Sequence, residues 1–158
     1  MSNLSNCAHR LYLKLFCGRE VWHHRYFRPS VSVVESDSKI WFEEAGLVVE
    51  ALPLRLLAGQ FSGRCNLLLS GPSVRLIEET NRLADYDLVA VNGSPGLFDG
   101  NLPRIKVYHV NDYSYIRGNL ERFIAYSAAA EYTVVDYRCI YGLMAEGVDV
   151  SSSTNLVV

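Results

Sequence analysis

The residues best suited to chemistry follow short apolar runs, and the first of them form the turn Ser70-Gly71-Pro72-Ser73. Gly71 has no side chain, so a ligand can approach the backbone closely, and Pro72 suits the first turn of a helix because no N–H is needed there. Two serine hydroxyls and the partial positive charge of a helix amino end favour binding of a phosphate group. An ordinary strand-to-helix turn, in which Ser70 or Ser73 only caps the helix, is the alternative.

Asn92-Gly93 follows the second apolar run. The amide of Asn92 offers one acceptor and two donors, which can bind a sugar hydroxyl, a phosphate or a base edge. An Asn-Gly turn without a ligand explains the pair equally well, because both residue types tolerate a positive φ. We therefore take Asn92 and Gly93 as candidate nucleotide-binding residues beside the Ser-Gly-Pro-Ser turn.

Asn111, Asp112 and Tyr113 follow the third run. Asp112 is the candidate catalytic residue, because a carboxylate can accept a proton, orient a hydroxyl or bind a metal. A cap on a helix that begins near Tyr113 is the alternative role of Asp112. Asn111 and Tyr113 are candidate substrate-binding residues, and Tyr113 could equally pack in the core. His109 lies inside the preceding run, where packing is a more common role for histidine than proton transfer.

Two further groups of residues are weaker candidates. His23, His24, Arg25 and Arg28 form a small basic patch that could meet an anionic acceptor or simply be a solvated surface. Asp136 closes a fourth apolar run.

The four cysteines, Cys7, Cys17, Cys65 and Cys139, form no C-x-x-C pair. This pattern argues against a zinc ribbon or a redox motif. Cys65 begins an apolar run and is expected to be buried. A reducing, cytoplasmic compartment fits such cysteine usage best.

The candidate residues are positioned by a predicted alternation of strands and helices. Strands are predicted over 65–69, 87–91, 105–110 and 132–136, and helices over 73–84 and 137–146. A further helix is predicted from an apolar stripe formed by Ile116, Leu120, Phe123, Ile124 and Ser127.

Strands that are apolar throughout and separated by helices indicate a parallel sheet covered on both faces. The sequence thus predicts an α/β fold with a Rossmann-like, mostly parallel sheet flanked by helices over residues 63–150. Right-handed crossovers place the carboxyl ends of such strands at one edge, where ligands bind in open α/β sheets. Residues 1–62 are predicted to form a small N-terminal β-rich appendage, with a hairpin turning at Glu44-Ala45-Gly46, and residues 151–158 a tail.

Composition excludes several classes of function. The chain has 158 residues, 49% of them hydrophobic and 20% charged, which is typical of a globular domain. A net charge of −2 and a pI of about 6.1 give no field suited to nucleic acid. The apolar run Leu11–Cys17 is short and interrupted by Lys14, so we expect at most peripheral membrane contact.

Four segments resemble the lipopolysaccharide core Kdo transferases of the WaaZ type in order and spacing. They are Leu-Leu-Leu-Ser-Gly-Pro-Ser (67–73), Leu-Val-Ala-Val-Asn-Gly (88–93), Tyr-His-Val-Asn-Asp-Tyr (108–113) and Tyr-Thr-Val-Val-Asp (132–136). The Gly-Pro-Ser turn and the strand-end Asn are also similar to those of bacterial sialyltransferases, which use a CMP-sugar donor. The resemblance covers residues 62–147.

The resemblance implies a glycosyltransferase that moves Kdo from CMP-Kdo to a core oligosaccharide. By analogy, Ser70, Gly71, Pro72 and Ser73 would line the CMP phosphate and ribose, Asn92 would contact the nucleotide, and Asp112 would lie beside the donor sugar or acceptor. The leaving group is a nucleoside monophosphate, so the resemblance implies no metal and no cofactor other than CMP-Kdo as the donor substrate. The catalytic base of the sialyltransferases lies further along their chains, and no residue here matches it.

Two other functions stay open. One is a non-catalytic module of the same fold that binds a nucleotide or sugar. The other is a Rossmann-like phosphotransferase, although the turn at Ser70 matches neither G-x-G-x-x-G nor a P-loop.

Overall fold

The computed structural model describes residues 30–61, 63–71, 83, 85–98, 102–148, 150 and 155–158. Its strands are β1 (Ser32–Glu35), β2 (Ile40–Glu44), β3 (Leu47–Ala51), β4 (Cys65–Leu68), β5 (Asp87–Val91), β6 (Ile105–Val110), β7 (Ala130–Val135) and β8 (Leu156–Val157). Its helices are α1 (Tyr113–Gly118), α2 (Leu120–Ala129) and α3 (Tyr137–Ala145), with 3-10 turns at Leu54–Leu57 and Ser94–Phe98. The predicted helix over 73–84 lies outside the described residues except for Leu83.

Five strands form one parallel sheet in the order β4-β5-β6-β7-β8. Four of them coincide with the strands predicted from apolar runs. Together with the flanking helices, they confirm the α/β, Rossmann-like fold. Burial alternates along β5, where Leu88 and Ala90 are fully buried and their neighbours are half-buried, so one face of the sheet is more completely removed from water. Burial of such apolar side chains is the main favourable contribution to folding.

The connections between strands favour one face of this sheet. Consecutive strands lie side by side, so right-handed crossovers place their connecting helices on the same face. The side chains of Ala90, Tyr108, Thr133 and Val135 on this covered face are at most 2% exposed. The Phe123 ring of α2 lies 6.2 Å from that of Tyr108.

The edge position of β4 corrects one expectation. Cys65 is exposed rather than buried, because β4 is the first strand of the sheet and Cys65 shares its outward-facing side with Leu67. The apolar run therefore predicted a strand correctly at this position, but the prediction that Cys65 is buried was wrong.

The long helix predicted around residues 116–127 is divided into α1 and α2. Asn119 interrupts it with φ −143° and ψ 40°, outside the helical region. Phe123 and Ser127 are buried, four residues apart on one face, whereas Ile124 is 44% exposed. Ile124 is one position beyond Phe123, about 100° around the helix, so it was wrongly included in the buried stripe.

A separate antiparallel sheet, in the order β1-β2-β3, confirms the predicted hairpin. Ala45 and Gly46 form its turn with φ of 50° and 84°. The buried side of this sheet faces α3, and the Phe42 ring lies 5.4 Å from Tyr137 and 6.0 Å from Tyr141 in edge-to-face contacts. The sheet and the helices therefore share one hydrophobic core.

The two sheets are joined through β8. Val157 pairs with Val134 of β7 on one side and with Leu52, just after β3, on the other. The Leu52 N–H donates to the Leu156 carbonyl at 2.6 Å, and the Val158 N–H donates to the Leu52 carbonyl at 3.0 Å. This two-residue strand lies in the segment predicted only as a tail, and it is too short to show a periodic pattern.

Close packing of α1 against α3 depends on one glycine. The Tyr113 hydroxyl donates to the Gly142 carbonyl at 3.0 Å, and a Cβ at Gly142 would lie 2.3–2.5 Å from three atoms of the Tyr113 ring. Both residues are buried, so neither can move without opening the core.

We expect Gly142→Ala to destabilise the protein by about 3 kcal/mol, because the added methyl group overpacks a filled site. Gly118→Ala is the matched control, since nothing lies within 4 Å of its added Cβ. It should be neutral or stabilising by up to about 1 kcal/mol, as alanine favours the helix. Urea denaturation followed by circular dichroism measures both, and equal stability of the two variants would contradict this packing.

Candidate functional site

The predicted site residues lie along one edge of the parallel sheet. Ser70 and Gly71 follow β4, Asn92 and Gly93 follow β5, and Asn111 and Asp112 follow β6. Because all these strands are parallel, the three loops leave the sheet at the same edge, which we call the carboxyl rim. Pro72 and Ser73 lie outside the described residues, as do His23, His24, Arg25 and Arg28.

Ser70 and Asn111 are exposed, and Gly71 is half-buried. Their polar groups are therefore open to solvent at the rim.

Asn92 adopts the left-handed conformation, with φ 51°. Its N–H donates to the His109 carbonyl at 3.0 Å, which fixes the turn against β6. Its side-chain Oδ1 is buried and accepts no hydrogen bond from the described residues. Asn92 therefore has both the left-handed backbone of a turn and a side-chain acceptor without a described donor. A buried acceptor without a donor costs free energy of folding.

Ser94 is a rim residue that sequence reasoning missed. Its hydroxyl accepts from the Val91 N–H at 2.9 Å and donates to the Leu68 carbonyl at 3.0 Å, and the residue is 2% exposed. It thus ties the end of β4 to the end of β5 and sets the spacing between their loops. Its position just after a strand-end Asn-Gly was the available signal.

Asp112 is exposed and forms the N-cap of α1. Its Oδ1 accepts from the Ser114 N–H at 2.8 Å, which satisfies one free donor of the helix. None of the described residues donates to the other carboxylate oxygen, Oδ2. The capping role is thus present, and it leaves an oxygen for other chemistry.

Tyr113 points away from the rim. It is 5% exposed, and its hydroxyl is engaged by the Gly142 carbonyl in the core. Its described contacts are those of a packed residue, which was the alternative to substrate binding. His109 is half-buried within β6.

The rim continues at β7 with Asp136 and Arg138. Asp136 caps α3 by accepting from the N–H groups of Arg138 at 2.8 Å and Cys139 at 3.2 Å. The Arg138 Nε donates to Asp136 Oδ2 at 2.6 Å, and its terminal nitrogen bonds the same oxygen. Asp136, and more weakly Asp112, raise the pKa of Arg138. Sequence reasoning did not single out this cation, although an Asp-x-Arg spacing at a strand end was its signal.

Several tyrosines of this part of the chain are buried or half-buried. Burial raises the pKa values of Tyr108, Tyr115 and Tyr141, and it raises the pKa of the Cys139 thiol to about 12. A Cβ at Gly93 would lie 3.5–3.9 Å from three atoms of the Tyr115 ring and hydroxyl, which is ordinary van der Waals contact, so the Tyr115 side chain of α1 lies beside the β5 turn.

No protein-family model matches the sequence, no curated protein matches it, and no solved structure matches the fold. Among the described residues, no three His, Cys, Asp or Glu side chains are grouped as a metal site would need. Within the same part of the chain, no helix has both the length and the apolar character needed to cross a membrane. The chain itself defines an α/β protein with a polar carboxyl rim.

Replacement of Asp112 separates its capping role from any chemical role. Asp112→Asn keeps an acceptor for the Ser114 N–H, so we expect the free energy of unfolding to change little. Asp112→Ala loses that acceptor and should cost about 1 kcal/mol. Urea denaturation measures both variants, and an alanine variant as stable as wild type would show that the cap contributes nothing.

We expect stability to fall above about pH 9, because the unfolded chain releases protons from Cys and Tyr near their ordinary pKa values of about 8.5 and 10. The folded protein holds these protons, so the contribution is complete at lower pH and is lost as pH rises. The melting temperature should decrease steadily between about pH 8 and pH 11. Cys139→Ala should reduce the fall in melting temperature at the lower end of this pH range, where the cysteine of the unfolded chain titrates. A melting temperature independent of pH would contradict the burial of these groups.

Proposed function

We propose that the carboxyl rim binds a CMP-sugar and that the protein transfers Kdo from CMP-Kdo to a core oligosaccharide of lipopolysaccharide. The convergence of three strand-end loops at one edge of an all-parallel sheet is the observation that supports this proposal. An edge of this kind presents backbone N–H groups and small polar side chains to one ligand. The resemblance of the same loops to those of CMP-sugar enzymes supports the choice of donor.

In this proposal the nucleotide lies across the ends of β4 and β5. Ser70 and Gly71, with Pro72 and Ser73, contact the phosphate and ribose, and Asn92 and Gly93 contact the nucleotide. Ser94 acts through the backbone by holding these two loops at their spacing.

The transfer step takes place at the end of β6. The acceptor hydroxyl oxygen forms a bond to the anomeric carbon of Kdo as the bond from that carbon to the phosphate oxygen breaks. CMP leaves with the electron pair, and the hydroxyl proton passes to Asp112, whose Oδ2 is free of described donors. Asn111 contacts the substrate, and Arg138 supplies a cation 40% exposed at the rim that attracts the anionic donor.

We place this reaction in the cytoplasm, with at most peripheral contact with the inner membrane, because the proposed donor is a charged, water-soluble nucleotide sugar. A non-catalytic CMP-sugar-binding module is the second candidate. The observation that favours it is the use of Asp112 as a helix cap, since a capping carboxylate has one oxygen already engaged.

Binding is tested by thermal shift with CMP, UMP, and ATP with magnesium. We expect CMP to raise the melting temperature, and Asn92→Gly to weaken CMP binding at least tenfold, because glycine keeps the φ of 51° and removes the amide. Ala45→Gly is the matched control, since Ala45 has φ 50° in the distant hairpin. Stabilisation by ATP with magnesium alone would favour a phosphotransferase.

Transfer is tested by CMP release from CMP-Kdo in the presence of core oligosaccharide. We expect Asp112→Asn to reduce turnover at least a hundredfold while CMP affinity stays unchanged, because general base catalysis contributes about 10²–10⁴-fold. CMP binding without release in the wild type would favour the binding module, and no binding of CMP at all would refute the proposal.

A further inference from the structure

The two edges of the parallel sheet differ in their backbone pairing among the described residues. At the β8 edge, Leu52 pairs with Val157, and three backbone hydrogen bonds connect residues 52–54 with residues 156–158. At the other edge, β4 pairs with β5 alone among the described residues. One side of β4 is therefore free of any described strand partner.

The β4 edge also lacks the usual features that prevent pairing with another strand. Such edges are normally interrupted by charged residues, proline or bulges. Residues 65–71 contain no charged residue and no proline. Leu67 is 61% exposed and Leu69 is 55% exposed, and both lie with Cys65 on the same side of the strand. The edge is therefore uncharged, and its outward-facing apolar side chains are exposed.

We propose that the β4 edge pairs with the β4 edge of a second copy of this chain, antiparallel about a twofold axis, to give a continuous ten-stranded sheet. Antiparallel pairing is isologous, so the same short segment supplies the donors and acceptors of both partners. An uncharged segment is suited to self-pairing because no like charges are brought together. The proposal is independent of the function proposed for the rim.

The exposed side chains specify the register. A twofold axis at Leu67 places Leu67 opposite its copy and Cys65 opposite Leu69. All three outward-facing apolar residues then meet residues of the same set. A shift of the axis to residue 66 or 68 leaves Leu69 or Cys65 without an apolar partner from this set. Directly opposed side chains in antiparallel strands have Cβ atoms about 4.5–5.5 Å apart.

Oligomeric state is measured by light scattering and sedimentation over roughly 10–500 µM, because a single strand pair gives a small interface and a weak association. We expect a monomer–dimer equilibrium in the wild type. Leu67→Lys should raise the dissociation constant at least tenfold, since two ammonium groups would face each other across the axis. Val48→Lys, at a 45% exposed position on β3, should leave the constant unchanged.

Disulfide trapping tests the register under mild oxidation. Leu67→Cys should form a dimer through the introduced thiol of each copy, and Leu69→Cys should link to Cys65 of the other copy, as peptide mapping would show. Val48→Cys and the wild type are the controls. A monomer at every concentration, or a dimer that Leu67→Lys leaves intact, overturns the proposal. A monomer whose β4 amides exchange slowly with deuterium would also overturn it, by showing that another part of the same chain covers the edge.

Discussion

Parallel pairing of β4 through β8 is the constraint on which the rest of the molecule depends. Because each strand runs in the same direction as its neighbours, the residues that follow them leave the sheet at one edge. Ser70, Asn92, Asp112 and Asp136 are far apart in sequence and are brought to one edge by this pairing alone. The buried face of the sheet, where Tyr108 and Ala90 are fully shielded from water, holds that edge rigid.

The carboxyl rim uses the same polar groups for structure that it would use for a ligand. The Asp112 carboxylate satisfies an N–H of α1, the Asp136 carboxylate satisfies two N–H groups of α3, and the Ser94 hydroxyl bridges two strand ends. A helix beginning after a strand has unsatisfied donors whether or not a ligand is bound. Asn92 therefore carries the more specific information, because capping does not explain a buried acceptor without a described donor, whereas Arg138 is already paired with the capping carboxylate of Asp136.

The sequence predicted the parallel sheet because most residues of its strands are apolar, although the structure buries one face of the sheet more completely than the other. It could not predict β8, whose two residues pair with Thr133, Val134 and Leu52 through backbone groups that any residue type supplies. It did not separate α1 from α2, although Gly118 directly precedes the break at Asn119 and glycine disfavours a helix interior. Capping and catalysis at Asp112 need the same residue type, so the candidate site could be located but its roles could not be assigned.

The pairing of Leu52 with Val157 joins residues separated by about two thirds of the chain. Contacts of such long range form late, because the entropy of closing the intervening loop is lost before any other contact repays it. During synthesis, the β1-β2-β3 hairpin sheet must wait for β8 to leave the ribosome before its edge has a neighbour. Phe42 and the apolar side of that sheet stay exposed until α3 is also available, because Tyr137 and Tyr141 of α3 pack on Phe42, and exposed apolar surface of this kind promotes aggregation or binding by a chaperone.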